Sequence, residues 1–145
     1  MIGFFIAVLS GVLMSVQGVF NTAVTKESGL WLASGWVQLT ALAVCVAGWL
    51  CTGRTHISSL WQVQPRYLLL GGVIGAFITL TVIKSMEFLG PAKAVLFIVI
   101  AQTGFAYLIE VAGLFGTEKA AVSVAKLVGL GIAMAGMIVF QLVDG

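Results

Sequence analysis

Four carboxamides and one carboxylate fall inside runs that otherwise hold few polar side chains: Gln17, Asn21, Gln38, Gln102 and Glu110. Gln17 and Asn21 are four residues apart, so a helix stacks them on one face. Trp31, Ser34 and Gln38 share a face by their i, i+3, i+7 spacing, and Gln102, Ala106 and Glu110 lie within one broad face. Carboxamides donate and accept hydrogen bonds but are not nucleophiles. No nucleophile with a base, no metal cluster and no phosphate loop accompanies them, and His56 is the only histidine. The chemistry on offer is recognition, not catalysis: no enzyme, no cofactor and no metal are expected. Three such faces turned to a common centre would line a small cavity for a neutral or zwitterionic solute. The competing reading is that the amides are hydrogen bonds between helices that only hold a bundle together. The candidate substrate-binding residues are therefore Gln17, Asn21, Ser34, Gln38, Gln102, Tyr107 and Glu110. For Glu110 two roles stand open. A carboxylate at membrane depth is a candidate for a proton-coupled step; one near a helix end pairs at the interface, with Lys119 or Arg66.

Composition says what must position these groups. Hydrophobic residues make up 61% of the 145 positions and charged residues 8%, far from the quarter or so of charge in a soluble domain. One pass across a bilayer takes about 20 mostly apolar residues, so the chain holds about five passes and little else. A single transmembrane domain over residues 1–145 is expected, with helices over 2–24, 30–52, 67–84, 92–114 and 122–143. Residues 25–29 and the stretch around Gly90-Pro91 read as short turns, and 53–66 as the longest loop, where Trp61 is suited to the interface. No segment alternates as a membrane β-strand would. The first helix lacks a basic flank and is expected to stay uncleaved. Cys45 and Cys51 read as small apolar fillers. A net charge of +2 gives no case for nucleic acid.

Five passes put the termini on opposite sides. One side carries Arg54, Arg66, Lys119 and Lys126, the other Lys26, Lys84 and Lys93. Orientation follows the Lys/Arg bias of short loops, and four against three is almost none. Either another determinant orients the chain, or it inserts both ways and pairs with an inverted copy or an inverted homologue.

The stretches GVLMSVQGVFN, PRYLLLGGVIGAF, AQTGFAYLIEVAGLFG and LVGLGIAMAGMIV resemble the YdcZ-like branch of the drug/metabolite transporter superfamily, whose members are five-helix, half-size proteins. The most specific parts are Gln17 with Asn21, the Gly71-Gly72-xx-Gly75 cluster, and Gln102 followed by an acid at 110 and Gly113. Where that family favours Gly and Asp, Ala101 and Glu110 stand here, and Val37 and Gln38 stand where it often has Ser and Phe. The resemblance implies an all-α bundle akin to small multidrug resistance proteins, an antiparallel dual-topology homodimer, and a bacterial inner-membrane location. Those relatives carry an essential acid in the first helix; this first helix has none. Helix 5 carries Gly129, Ala133 and Gly136, a small-residue stripe expected to be the dimer contact, with the Gly71, Gly72 and Gly75 cluster on helix 3 as the competing candidate. The expected function is small-solute transport by alternating access across the inverted dimer, in contact with lipid on all outer faces. The alternative is a non-transporting membrane subunit that assembles with a partner chain.

Overall fold

The structure is a computed structural model describing residues 1–53 and 55–142; Arg54 and residues 143–145, including the expected last residue of the fifth helix, lie outside the described residues. Regular structure among the described residues is helical throughout: α1 (Ile2–Ser28), α2 (Leu30–Thr52), α3 (Gly71–Leu89), α4 (Pro91–Ala112) and α5 (Val124–Leu142). A 3₁₀ turn over Ile57–Gln62 lies in the α2–α3 loop, and a second over Arg66–Leu70 leads into α3. With that lead-in counted, five helices are long and apolar enough to cross a membrane.

Their outer surface is what a bilayer requires. Ala33, Ile83, Met86 and Ala94 are the buried hydrophobic side chains among the described residues, while Phe4, Phe5, Phe77, Phe105 and Phe140 stand exposed. In water such a surface would aggregate; in hydrocarbon it is the solvated one. Trp31 and Trp61 are exposed at helix α2's start and in the loop, the positions where aromatic rings favour the interface. The Trp49 indole N–H donates to the Thr55 carbonyl at 3.1 Å, tying the end of α2 to that loop. Cys45 and Cys51 are both free and exposed.

Helix ends differ from the sequence expectation in an instructive way. α1 does not stop at residue 24: the Thr25 hydroxyl donates to the Asn21 carbonyl and the Ser28 hydroxyl to that of Val24, each at 2.8 Å. Polar residues bonded back onto the helix extend it, and only Gly29 ends it. α3 likewise runs past Lys84 to Leu89, with Lys84 and Glu87 paired at 2.7 Å one turn apart. α4 begins on Pro91, whose missing N–H is no loss in a first turn, and ends at Ala112 rather than 114. α5 starts at Val124 because Ser123 caps it: the Lys126 N–H donates to the Ser123 hydroxyl at 3.4 Å.

Two one-residue breaks share a backbone conformation. Gly29 has φ 82 and ψ 157, Gly90 has φ 78 and ψ 160. Each donates its N–H to the carbonyl four residues back, Thr25 at 2.8 Å and Met86 at 3.0 Å. This region of backbone space is essentially closed to residues with a Cβ.

The chain divides into two compact units, Met1–Pro91 and Ala92–Gly145. In the first, α1, α2 and α3 pack pairwise. One close seam is Gly18 on α1 against Met86 on α3. A Cβ built at Gly18 would lie 2.7 Å from the Met86 sulfur, and closer still to its terminal methyl. Met86 is itself buried, which limits how far it can swing aside. In the second unit, the segment after α4 folds back on that helix's end, with the Ala120 N–H donating to the Glu110 carbonyl at 2.9 Å.

Two stability outcomes follow. Gly18→Leu overpacks the α1–α3 seam and costs about 1–3 kcal/mol, read as a lowered Tm in detergent; adding Met86→Ala restores part of the loss, so the two changes are not additive. Gly29→Ala has open space around its Cβ, so any loss is backbone strain alone, about 1–3 kcal/mol. An unchanged Tm for Gly29→Ala would show that the helix break relaxes without glycine.

Candidate functional site

Hydroxyl and amide side chains meet hydrocarbon with different resources. A helical Ser or Thr can donate to the carbonyl one turn back. Ser10, Ser15, Thr22, Thr40, Thr52 and Thr81 all do so. A carboxamide has two donors and a two-lone-pair acceptor and cannot be satisfied that way. Its partners must come from elsewhere, and the structure separates the amides by whether they find one.

Gln38 finds one. Its Nε2 donates to the Thr79 hydroxyl at 3.2 Å, joining α2 to α3, and Thr79 passes its own proton to the Gly75 carbonyl at 3.1 Å. This is the interhelical-bond reading of that residue. Gln17 and Asn21 find none: among the described residues neither side chain makes a hydrogen bond within the chain. Both line a groove of about 420 Å³ between α1 and α2. Phe20 and Val24 flank them on α1; Trp36, Val37, Thr40 and Val44 face them from α2. Gln17 is exposed and Asn21 half-buried. Gln17 stands twelve residues before the Gly29 break, about 18 Å along a helix, which is near mid-depth of a hydrocarbon core about 30 Å thick. Two free amides between aromatic rings at mid-depth can hold a solute by hydrogen bonds and by its apolar faces, with no net charge on the wall.

Ser34 is buried, and its hydroxyl is the one buried side-chain polar atom among the described residues without a hydrogen-bond partner. It does not border the α1–α2 groove. Gln102, on α4, is exposed and also makes no side-chain hydrogen bond among the described residues.

The second unit holds a separate groove of about 380 Å³ between α4 and α5. α4 contributes Thr103, Ala106, Tyr107 and Glu110; α5 contributes Lys126, Gly129, Leu130 and Ala133. Tyr107 ties the two helices: its hydroxyl accepts from the Ser123 N–H at 2.9 Å and donates to the Ser123 carbonyl at 3.4 Å. Glu110 pairs with Lys126 at 3.5 Å, where the interface reading of the sequence offered Lys119 or Arg66. Lys126 belongs to the first turn of α5, which the Tyr107–Ser123 bonds bring beside the end of α4; its ammonium also lies 5.7 Å from the Tyr107 ring centre. Glu110 stands about 30 Å past Gly90 along α4, a full hydrocarbon thickness, with its side chain 52% exposed. That is an end-of-helix ion pair. Gly129 and Ala133 border this groove, and Gly136 lies exposed beyond it.

The sequence-derived residues thus fall into four groups: Gln17 and Asn21 in the α1–α2 groove, Gln38 and Ser34 in other surroundings of the first unit, Tyr107 and Glu110 in the α4–α5 groove, and Gln102 on α4 outside both grooves. Trp36, Thr40 and Lys126 were missed. The first two are signalled by spacing, since Trp36 and Thr40 are one turn apart on an α2 face that counting outward from Gly29 sets within one residue of the levels of Asn21 and Gln17.

Gln38→Leu loses one interhelical bond, about 1 kcal/mol. A double-mutant cycle with Thr79→Val on unfolding in detergent checks it; a coupling near zero would mean that the bond does not hold α2 to α3.

A family model described as "Putative inner membrane exporter, YdcZ" matches residues 2–139. No curated protein and no solved structure matches the chain. The match covers all five membrane-length helices but for the last residues of α5, and it bears out the resemblance drawn from the glycine and amide motifs. The chain belongs to the YdcZ family of drug/metabolite-transporter-type inner membrane exporters, and it is a multi-pass transport protein of the inner membrane.

Proposed function

We propose that the protein exports a small neutral or zwitterionic solute by alternating access, and that two copies in opposite orientation face each other across their α1–α2 grooves. The observation that carries this reading is the pair Gln17 and Asn21. They are amides in a membrane-spanning helix, without a hydrogen-bond partner among the described residues of their own chain, beside Trp36 and Thr40 in one groove. Amides left to lipid are costly, so such a pair calls for a solute, a second copy, or both in turn. The near-even split of basic residues, four on one side and three on the other, supports insertion in both orientations. The ion pair of Glu110 with Lys126 near a helix end speaks against Glu110 as a mid-membrane proton carrier, so the groove amides, not the acid, are the solute-binding groups in this reading.

Two experiments test it. Fusions of alkaline phosphatase and of green fluorescent protein to the C-terminus are both expected to be active, because one reports each side of the membrane. Activity of one fusion alone would rule out the inverted pair. In proteoliposomes, a screen of neutral and zwitterionic solutes is expected to give at least one transported compound. For it, Gln17→Leu and Asn21→Leu each lower the rate about 5- to 100-fold, the equivalent of one lost hydrogen bond to a buried group. Gln38→Leu and Glu110→Gln stay within about twofold, and Gln102→Leu reports whether the amide on α4 contributes. Unchanged transport in both α1 variants would remove the proposed wall. Loss of assembly without any transported solute would favour a structural subunit.

A further inference from the structure

The α4–α5 groove has the form of a site for an amphiphile. Its polar end is the Glu110–Lys126 pair, at the third residue from the end of α4 and the third of α5. From there the groove runs seven residues along each helix, to Thr103 on one wall and Ala133 on the other, about 10 Å into the bilayer. Apart from the Tyr107 and Thr103 hydroxyls, the walls of this shaft are small or apolar. At Gly129 nothing lies within 4 Å of where a Cβ would stand, so the shaft is open there. A water-soluble solute would use the charged end and leave the shaft in contact with lipid tails. A lipid uses both.

The charges specify the headgroup. At 3.5 Å the pair is looser than a good charge-assisted hydrogen bond. Its side chains are 58% and 52% exposed, so it contributes little to the fold and can open without much loss. Lys126 brings three donors and Glu110 two acceptor oxygens. A headgroup with a phosphate and a primary ammonium a few bonds apart matches both: phosphate on Lys126, ammonium donating to Glu110. A trimethylammonium headgroup has no N–H to donate, and a glycerol headgroup has no cation for Glu110. We propose that the α4–α5 groove binds one phosphatidylethanolamine, its headgroup on Lys126 and Glu110 and one acyl chain along Gly129 and Ala133. This does not rest on the transport reading, since it concerns the second unit and is read without any solute.

Native mass spectrometry of the full-length protein in detergent tests it. The probes are phosphatidylethanolamine, phosphatidylcholine and phosphatidylglycerol with the same acyl chains. The ethanolamine lipid is expected to bind about fivefold or more tighter than either of the others. Lys126→Ala and Glu110→Gln, both on exposed side chains, erase that preference. Gly129→Leu fills the shaft from an open position and weakens the tightest adduct of all three lipids, with helix content by circular dichroism unchanged. Equal affinity for the three lipids in the unmodified protein overturns the proposal. So does Gly129→Leu that binds lipid as before, including the case in which it separates two copies, which would give the groove to a helix of a second copy.

Discussion

The structure depends on one constraint: inside hydrocarbon, every polar group must be satisfied by the protein or by what the protein holds. The backbone meets it through helices. Most helical hydroxyls meet it by bonding back one turn, as Ser10, Thr22 and Thr81 do, while the buried Ser34 hydroxyl has no partner among the described residues. Four charged side chains meet it by pairing near helix ends, Lys84 with Glu87 and Lys126 with Glu110. What is left after this sorting is short. Gln38 is taken up by Thr79, and the amides of Gln17, Asn21 and Gln102 are not taken up by their own chain among the described residues.

Packing in the first unit obeys a second limit. Helices in lipid have no hydrophobic effect to press them together, so close approach must supply dispersion contacts. Gly18 does this for α1 and α3, because removing a side chain there lets Met86 lie against the α1 backbone. Gly29 and Gly90 act differently: they let a helix end and the next begin within one residue, so little of the chain is spent outside the membrane. With such breaks α1 and α2 stay in register along their lengths. Counting outward from Gly29 then sets Asn21 level with Val37 and Gln17 level with Ala41, all of which line the same groove.

Much of this was legible in the sequence and some was not, for definite reasons. The five spans follow from runs of apolar residues, which hydropathy reports directly. The end of α1 was misplaced because Thr25, Lys26, Glu27 and Ser28 are polar and look like a turn, whereas a hydroxyl that bonds its own helix continues it. Spacing put Gln17 with Asn21 correctly, since both lie on one helix. It could not tell Gln17 from Gln38, because periodicity says which residues share a face and not what the face meets. Thr79 is 41 residues from Gln38, and no local pattern announces it. The same limit hid Lys126 as the partner of Glu110, for it depends on how Tyr107 and Ser123 join two helices.

In the proposed inverted pair, depth would decide which of these groups the two copies share. An axis lying in the membrane plane exchanges the two surfaces and leaves the middle in place. A residue near mid-depth, as Gln17 is by its distance from Gly29, meets its own counterpart at the same level. A residue at a helix end, as Glu110 is, is carried to the opposite surface. A central site built by both copies must therefore draw on Gln17 and Asn21, whose aromatic neighbours Phe20 and Trp36 go with them. Glu110 and Lys126 cannot join it and would recur once at each face. In the proposed inverted pair the two grooves would suit different occupants: one near the middle, uncharged, joined with its counterpart into a single cavity, and one at each interface, charged at its mouth and apolar below.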